Sequence, residues 1–279
     1  NATHQPLTLR IAPELALKRL VAGGLNRIFE LGRDFRNEGL DRVHSPEFTV
    51  LEAYAAGEDV TGMRALAERL VTAAAVAVHG EAAIIDRAGA RIPIPTPWPV
   101  RTVLDALSDA TGIHLTARAS PAELARLCAQ SGLLAAPADD ADTLIDRLYS
   151  HLVEAQTVSP TFYVGFPAGG TPLAAVDPQH PELAARWDLV AGGMEIGTGY
   201  TELTDPVEQR RRLAVQAWQA QHGDPEAMEY DGDFVRALEY GLPPLGGLGL
   251  GVDRIVMLLT GRDIRGTLAE TLADTARVR

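Results

Sequence analysis

Between positions 245 and 251 the chain reads Leu-Gly-Gly-Leu-Gly-Leu-Gly, with glycine at every second place from Gly247 to Gly251. Alternate residues of an extended segment point the same way, so a strand of this composition has one face with side chains and one face without. A flat ring can lie against the bare face. The spacing is G-x-G-x-G rather than G-x-G-x-x-G, and no Walker lysine follows, so neither common glycine-rich nucleotide motif is supported. Residues 252–260 read as a helix closed by Gly261. Asp253 and Arg254 fall in its first turn, beside backbone N–H groups that favour anions. Arg254 suits a phosphate, although taken alone it suits an ordinary surface equally well.

Two further segments, 27–36 and 47–55, alternate well enough to be strands, and the charged loop between them predicts an antiparallel pair. By parity, Phe48, Val50, Glu52 and Tyr54 share one face of the second strand. Glu30, Asp34, Arg36 and Glu38 share one face at the first. An aromatic ring, carboxylates, a guanidinium and a phenol are thereby gathered over one patch of sheet, which from spacing alone is also compatible with a solvated face. The loop adds Arg42, His44 and Glu47, of which the arginine and histidine suit phosphate binding.

Elsewhere helices are predicted at 13–21, 61–78, 102–111, 120–130, 139–154 and 205–221, with Asp59 or Thr61 capping the second and Ser120-Pro121 opening the fourth. Residues 87–99 and 191–200 read as extended and 160–166 as a short strand. This order is α+β around an antiparallel sheet rather than alternating βαβ. Residues 79–158 carry no chemical motif and read as a helical layer or an insertion within one domain spanning 1–279.

The apolar share of 46% and the charged share of 22% exclude a chain disordered throughout, and no apolar run is long enough to span a membrane. No signal peptide opens the chain, and its one cysteine, Cys128, leaves no partner for an internal disulfide, so a cytoplasmic protein is expected. The histidines have no metal-ligand spacing, and nothing resembles a Ser–His–Asp arrangement. A formal charge of −12 implies that any nucleic-acid partner is gripped by something beyond this chain. Asp188, Glu195 and Glu202 recur at intervals of seven along a glycine-rich stretch. Paired carboxylates suit Mg²⁺ and a third suits an ammonium, although exposed acids are common in so acidic a chain.

Taken together these segments form a recognisable set. Phe35-Arg36-Asn37-Glu38-Gly39 followed by His44-Ser45-Pro46-Glu47-Phe48-Thr49 resembles motif 2 of the class II aminoacyl-tRNA synthetases, and Gly247 to Arg254 resembles motif 3. Arg10-Ile-Ala-Pro-Glu14-Leu with Lys18-Arg19-Leu20, and Gly193-Met-Glu195-Ile-Gly197 running on to Thr201-Glu202-Leu, resemble the lysyl enzymes. The wording is most similar to the actinobacterial lysyl-tRNA synthetase paralogues associated with lysyl-phosphatidylglycerol synthesis.

The resemblance implies a mainly antiparallel sheet flanked by helices, with L-lysine and ATP across it. Arg36 would contact the α-phosphate and the amino-acid carboxylate, Glu38 the adenine amino group, and Phe48 the adenine ring. Arg254 and His44 would reach the terminal phosphates, and Asp188 and Glu195 would bind Mg²⁺. Glu14 and Glu52 would surround the α-amine, with Tyr54 and Glu202 on the ε-ammonium. The expected reaction forms lysyl-adenylate and passes the lysyl group to tRNA. The chain departs from the family in showing no motif 1, which builds the homodimer in relatives, and no anticodon-binding barrel. Thr198 and Ser45 stand where housekeeping enzymes carry Asn, and 171–177 lacks the expected basic residues. A paralogue that hands lysine or an analogue to a protein, and a non-catalytic pseudo-synthetase, are the two competing readings.

Overall fold

The computed structural model describes residues 7–37, 39–116, 118–136, 139–223 and 227–268. A seven-stranded sheet organises them: β1 (Arg27–Phe35), β2 (Glu47–Ala56), β5 (Val100–Thr102), β6 (Thr161–Val164), β7 (Arg186–Ala191), β8 (Met194–Thr201) and β9 (Leu245–Gly251). Their spatial order is β1-β2-β9-β8-β7-β6-β5, and every pairing is antiparallel except that of β5 with β6. The glycine strand therefore lies inside the sheet, between the motif-2-like pair and the β7–β8 hairpin.

On the face away from the glycines, Leu248 and Leu250 join Trp187, Leu189 and Phe162. Helix α2 (Val60–His79) packs there through Met63, Ala67, Val71 and Ala75, a stripe at helical spacing. It starts where Asp59 Oδ1 accepts the N–H groups of Thr61 and Gly62 at 2.8 and 2.9 Å, and it ends at Gly80 with φ 77°. Helix α8 (Val252–Thr260) completes this layer with Met257, Leu258 and Leu259.

Two smaller clusters occupy the ends of the opposite face. Helix α1 (Glu14–Ala22), α6 (Pro206–Gln221) and α7 (Gly232–Glu239) meet through Leu17, Val21, Leu213 and Phe234, against Tyr54 and Leu245 of the sheet. At the far end α3 (Val103–Thr111), α4 (Pro121–Gln130) and α5 (Ala141–Leu152) pack on Tyr163, Phe166 and Val190. Helix α4 carries a full capping box, with Ser120 and Glu123 each bonding the other's backbone N–H. Between these clusters the glycine face stays uncovered.

Three details differ from the sequence expectations. The extended stretch 87–99 belongs to a two-stranded ribbon of β3 (Ala83–Ile85) and β4 (Arg91–Pro93). Strand β7 and helix α7 also form, although neither was expected. Residues 79–158 thus contribute strands as well as helices, one of them an edge of the main sheet. No described helix is long and apolar enough to cross a membrane.

Close packing of β8 on β7 requires glycine. A Cβ at Gly199 would overlap the Trp187 ring, 2.6 Å from Cε2, and lie 2.9 Å from the Gly247 carbonyl oxygen. Gly199→Ala is expected to cost about 2 kcal/mol or more in chemical denaturation, whereas Gly170→Ala, where a Cβ meets nothing within 4 Å, is expected to change stability little.

Candidate active site

Register carries the site. Glu30, Glu52, Gly249, Thr198, Asp188 and Tyr163 form one rung across six strands. The next rung on the same face runs Tyr54, Gly247, Tyr200, Arg186. The parity grouping of Phe48, Val50, Glu52 and Tyr54 therefore holds, and the glycines lie beside it as a bare floor. Over that floor opens a cavity of about 440 Å³, whose wall includes Glu14, Arg36, His44, Phe48, Glu52, Tyr54, Glu195, Glu202 and Arg254. Nine of the eleven sequence candidates thus share one cavity. Glu38 lies outside the described residues.

Asp188 is the other exception. It is buried and not part of the wall. Its Oδ1 accepts Arg186 Nε at 2.9 Å and the Thr198 hydroxyl at 2.7 Å, and its Oδ2 accepts Arg186 Nη2 at 2.7 Å. Arg186 in turn stacks over Phe166, 4.3 Å from the ring centroid. Glu195 reaches the cavity because strict alternation fails: the β7–β8 register shifts at Leu189/Val190, so Val190 pairs with Glu195 while Leu189 pairs with Gly197. The bulge reverses the parity of β8 and turns Glu195 to the face that carries Thr198 and Tyr200. Burial, and then the charge of Asp188, push the Glu195 carboxyl up to about 7. Glu154 stands close, its Oε1 accepting the Glu195 N–H at 3.0 Å.

A metal ion fits this arrangement only in part. Among the described residues no group of three or more His, Cys, Asp or Glu side chains is placed to hold one. Mg²⁺ commonly takes one or two carboxylates and completes its shell with phosphate and water. Glu195 at the wall, with Asp188 behind it, suits an ion that arrives on a phosphate chain.

The cavity is polar in opposite senses at its two ends. At one end the Arg36 guanidinium lies 5.2 Å from the Phe48 ring centroid and its Nε donates to the Ile11 carbonyl at 3.2 Å. Arg254 donates from Nη1 to the Glu195 carbonyl at 2.8 Å. His44 Nδ1 bonds Asp41 Oδ2 at 2.7 Å. Asp253 Oδ2 accepts the Thr49 N–H at 2.6 Å and ties helix α8 to β2.

The other end is acidic. Glu202 is 2% exposed; its Oε2 is ion-paired with the buried Lys18 ammonium, and its Oε1 has no hydrogen-bond donor. Its Oε1 lies over Gly247, where any Cβ would collide with it and stand 2.5 Å from Tyr54 Cε1. Burial pushes the Glu202 carboxyl up to about 7, against the pull of Lys18. Glu52 is pushed up to about 8, by burial first and then by the charge of Glu14. The Tyr54 hydroxyl donates to Glu52 Oε2 at 2.9 Å. The phenol expected beside Glu202 is thus bonded to Glu52, while its ring flanks Glu202.

Sequence reasoning passed over Lys18, Arg186 and Tyr200. For Lys18 a signal existed: a charge between Leu17 and Val21 on the apolar side of a helix, one turn after Glu14.

Comparison with known proteins agrees with this geometry. The family model described as tRNA synthetases class II (D, K and N) matches residues 1–269. The chain is 52% identical over 273 residues to the lysylphosphatidylglycerol biosynthesis bifunctional protein LysX of Gordonia bronchialis, covering 96% of this chain and 24% of that protein. It is 52% identical over 272 residues to the LysX of Nocardia farcinica, with the same coverage. It is 50% identical over 284 residues to that of Mycobacterium tuberculosis H37Rv, covering 98% and 24%. The chain spans about a quarter of the length of these curated relatives.

The acidic end gives stability a sign. Glu52, Glu195 and Glu202 hold their protons more tightly folded than unfolded, so the ligand-free protein loses stability as pH rises from about 4.5 towards 8. Glu52→Gln removes one such penalty. In denaturant titrations the variant is expected to match the parent near pH 4 and to exceed it by about 4 kcal/mol above pH 8.

Proposed function

This chain belongs to the class II tRNA synthetases of the D, K and N group, and from that premise we propose that its cavity activates L-lysine with ATP. The observation that carries the reading is the buried Glu202 carboxylate, whose Oε1 has no hydrogen-bond donor and is seated over bare Gly247 at the acidic end of the cavity. A site built to meet a distal ammonium strongly rejects ligands that lack one, because its own buried group is then left unpaired. Glu14 and Glu52 would hold the α-ammonium, and Glu202 beside the Tyr54 ring would hold the ε-ammonium.

ATP would lie over the glycine floor with adenine against Phe48, Arg36 displaced towards the α-phosphate, and Arg254 and His44 at the terminal phosphates. Glu38 is the family's acceptor for the adenine amino group. A lysine carboxylate oxygen bonds the α-phosphorus in line while the bond from that phosphorus to the β-bridging oxygen breaks. The products are lysyl-adenylate and pyrophosphate. The attacking carboxylate is already ionised, so no residue need act as a base. Arg36 and Arg254 position the groups and offset the charge that develops. When bound, Mg²⁺ would neutralise phosphate charge, held by Glu195 with Asp188 behind it.

The names of the relatives support a route onward to lysylphosphatidylglycerol. Lysyl transfer to tRNA is the proposed next step. At a formal charge of −12 this chain is a poor grip for a polyanion by itself, which favours tRNA being held by other parts of the protein or by a partner.

The test is lysine-dependent ATP–pyrophosphate exchange. Exchange is expected with lysine, and Glu202→Gln is expected to lower kcat/KM for lysine about a thousandfold with ATP binding kept. Exchange driven by another amino acid would sink the lysine assignment and keep the adenylation. ATP binding with no exchange would favour a pseudo-synthetase. Tritiated lysine recovered in protein rather than in tRNA would favour the protein-modifying reading.

A further inference from the structure

Among the described residues, Lys18 is a fully buried charge that the proposed reaction does not use. It lies on α1, one turn after Glu14, and its side chain is wholly inaccessible. Its ammonium touches Glu14 Oε1 at 2.6 Å and Glu202 Oε2, and it stands 5.9 Å from the Tyr54 ring centroid. It is not part of the cavity wall. The lysine therefore stands behind the two carboxylates, on the side a ligand does not reach.

We propose that Lys18 is a specificity-determining positioning residue: it anchors one oxygen of Glu202 and keeps that carboxylate charged, leaving the other oxygen to recognise a cation on the distal end of the ligand. The proposal rests on the lysine reading above. An ammonium buried this completely is tolerated only when paired, and here two carboxylates share it. Its contact is with Glu202 Oε2, whereas Oε1 lies over Gly247. The anchor and the recognition point are thus different atoms of one group.

Charge balance gives the reason for such an anchor. The groups around Glu202 are Glu14 and Lys18 from α1, Glu52 and Tyr54 from β2, and Tyr200 from β8, with Arg186 beyond Tyr200 on β7. Burial acts to lower the proton affinity of Lys18, but Glu14 and Glu202 raise it well above the usual range, so the ammonium stays charged. Three carboxyl groups, Glu14, Glu52 and Glu202, face one ammonium, so a ligand bringing two further positive charges, as lysine does, would favour the charged form of each. Without Lys18, three carboxylates would crowd a poorly solvated space, and the cheapest response is to take up protons. A protonated Glu202 would no longer demand a cation and would accept an apolar chain.

The experiment compares lysine with norleucine, which lacks the distal ammonium, in ATP–pyrophosphate exchange by the intact protein across about pH 6 to 9. The variants are Lys18→Met, Lys18→Gln and Lys18→Arg. With Met or Gln, kcat/KM for lysine at neutral pH is expected to fall about a hundredfold while that for norleucine holds or rises. The pH at which lysine kcat/KM reaches half its plateau should move up by about one unit or more, because removing the neighbouring cation raises the Glu202 carboxyl. Lys18→Arg keeps the charge and should keep both the preference and the midpoint. Gln retains a donor towards Glu202, so the comparison survives if the Met variant does not fold. Lysine and norleucine falling together, with the midpoint unmoved, would reduce Lys18 to a structural role and overturn the proposal. Parent protein that exchanges lysine, with a Met or Gln variant that keeps full preference for it, would overturn this assignment alone. No lysine-dependent exchange in the parent at any pH would take down the lysine reading and this assignment together.

Discussion

A strand without side chains on one face is the constraint on which the rest of the structure depends. Strand β9 has neighbours on both sides, so its bare face is framed by Glu52 and Tyr54 on one flank and by Thr198 and Tyr200 on the other. Glycine at 247 lets a carboxylate and an aromatic ring approach the backbone more closely than any other residue would permit. The same strand presents Leu248 and Leu250 to the layer formed by α2 and α8. One seven-residue segment therefore supplies part of the main core and the floor of the cavity, and the alternation of its residues keeps the two apart.

The cavity then sorts charge along its length. The end near α1 gathers carboxylates in an environment that resists their ionisation, and the end near α8 gathers guanidinium groups. Such a gradient suits the proposed pair of ligands, an amino acid with a second ammonium at the acidic end and a nucleotide polyphosphate at the other. Two further cations support the gradient: Lys18, behind the wall, contacts Glu202, and Arg186, in the wall, holds Asp188 by a two-pronged pair.

Much of this was legible in the sequence where a local rule and the tertiary outcome coincide. The β1–β2 pair could be read because its residues alternate between a packed face and a cavity face. Helices α2, α4 and α6 announced themselves by caps at Asp59, Ser120 and Asp205. Strand β7 was missed because Trp-Asp-Leu-Val-Ala is buried along its whole length, and a strand covered on both sides shows no period. Helix α7 is a short element, and its local signals, a cap at Asp231 and an apolar stripe of Phe234, Val235 and Leu238, span only two turns, so docking on α1 and α6 carries most of its stability. Within the site, Glu195 belonged to the right group for a reason that spacing does not contain, since its orientation depends on a register shift. Asp188 was expected to line a cleft with Glu195 and Glu202, yet it lies behind the wall, held by Arg186 and Thr198, partners that spacing could not rank.

That register shift also bears on how such a site can vary. An exchanged side chain in β8 disturbs only what it touches, as a Cβ at Gly199 would disturb Trp187, but the length of the segment between Leu189 and Gly197 is a parity count. Deleting or adding one residue there would leave composition and hydropathy almost untouched while turning Glu195 from the cavity to the core. Where neither close packing, as at Gly199, nor the cavity, as at Glu195, fixes a residue, the hairpin admits other letters, but it does not admit a length changed by one.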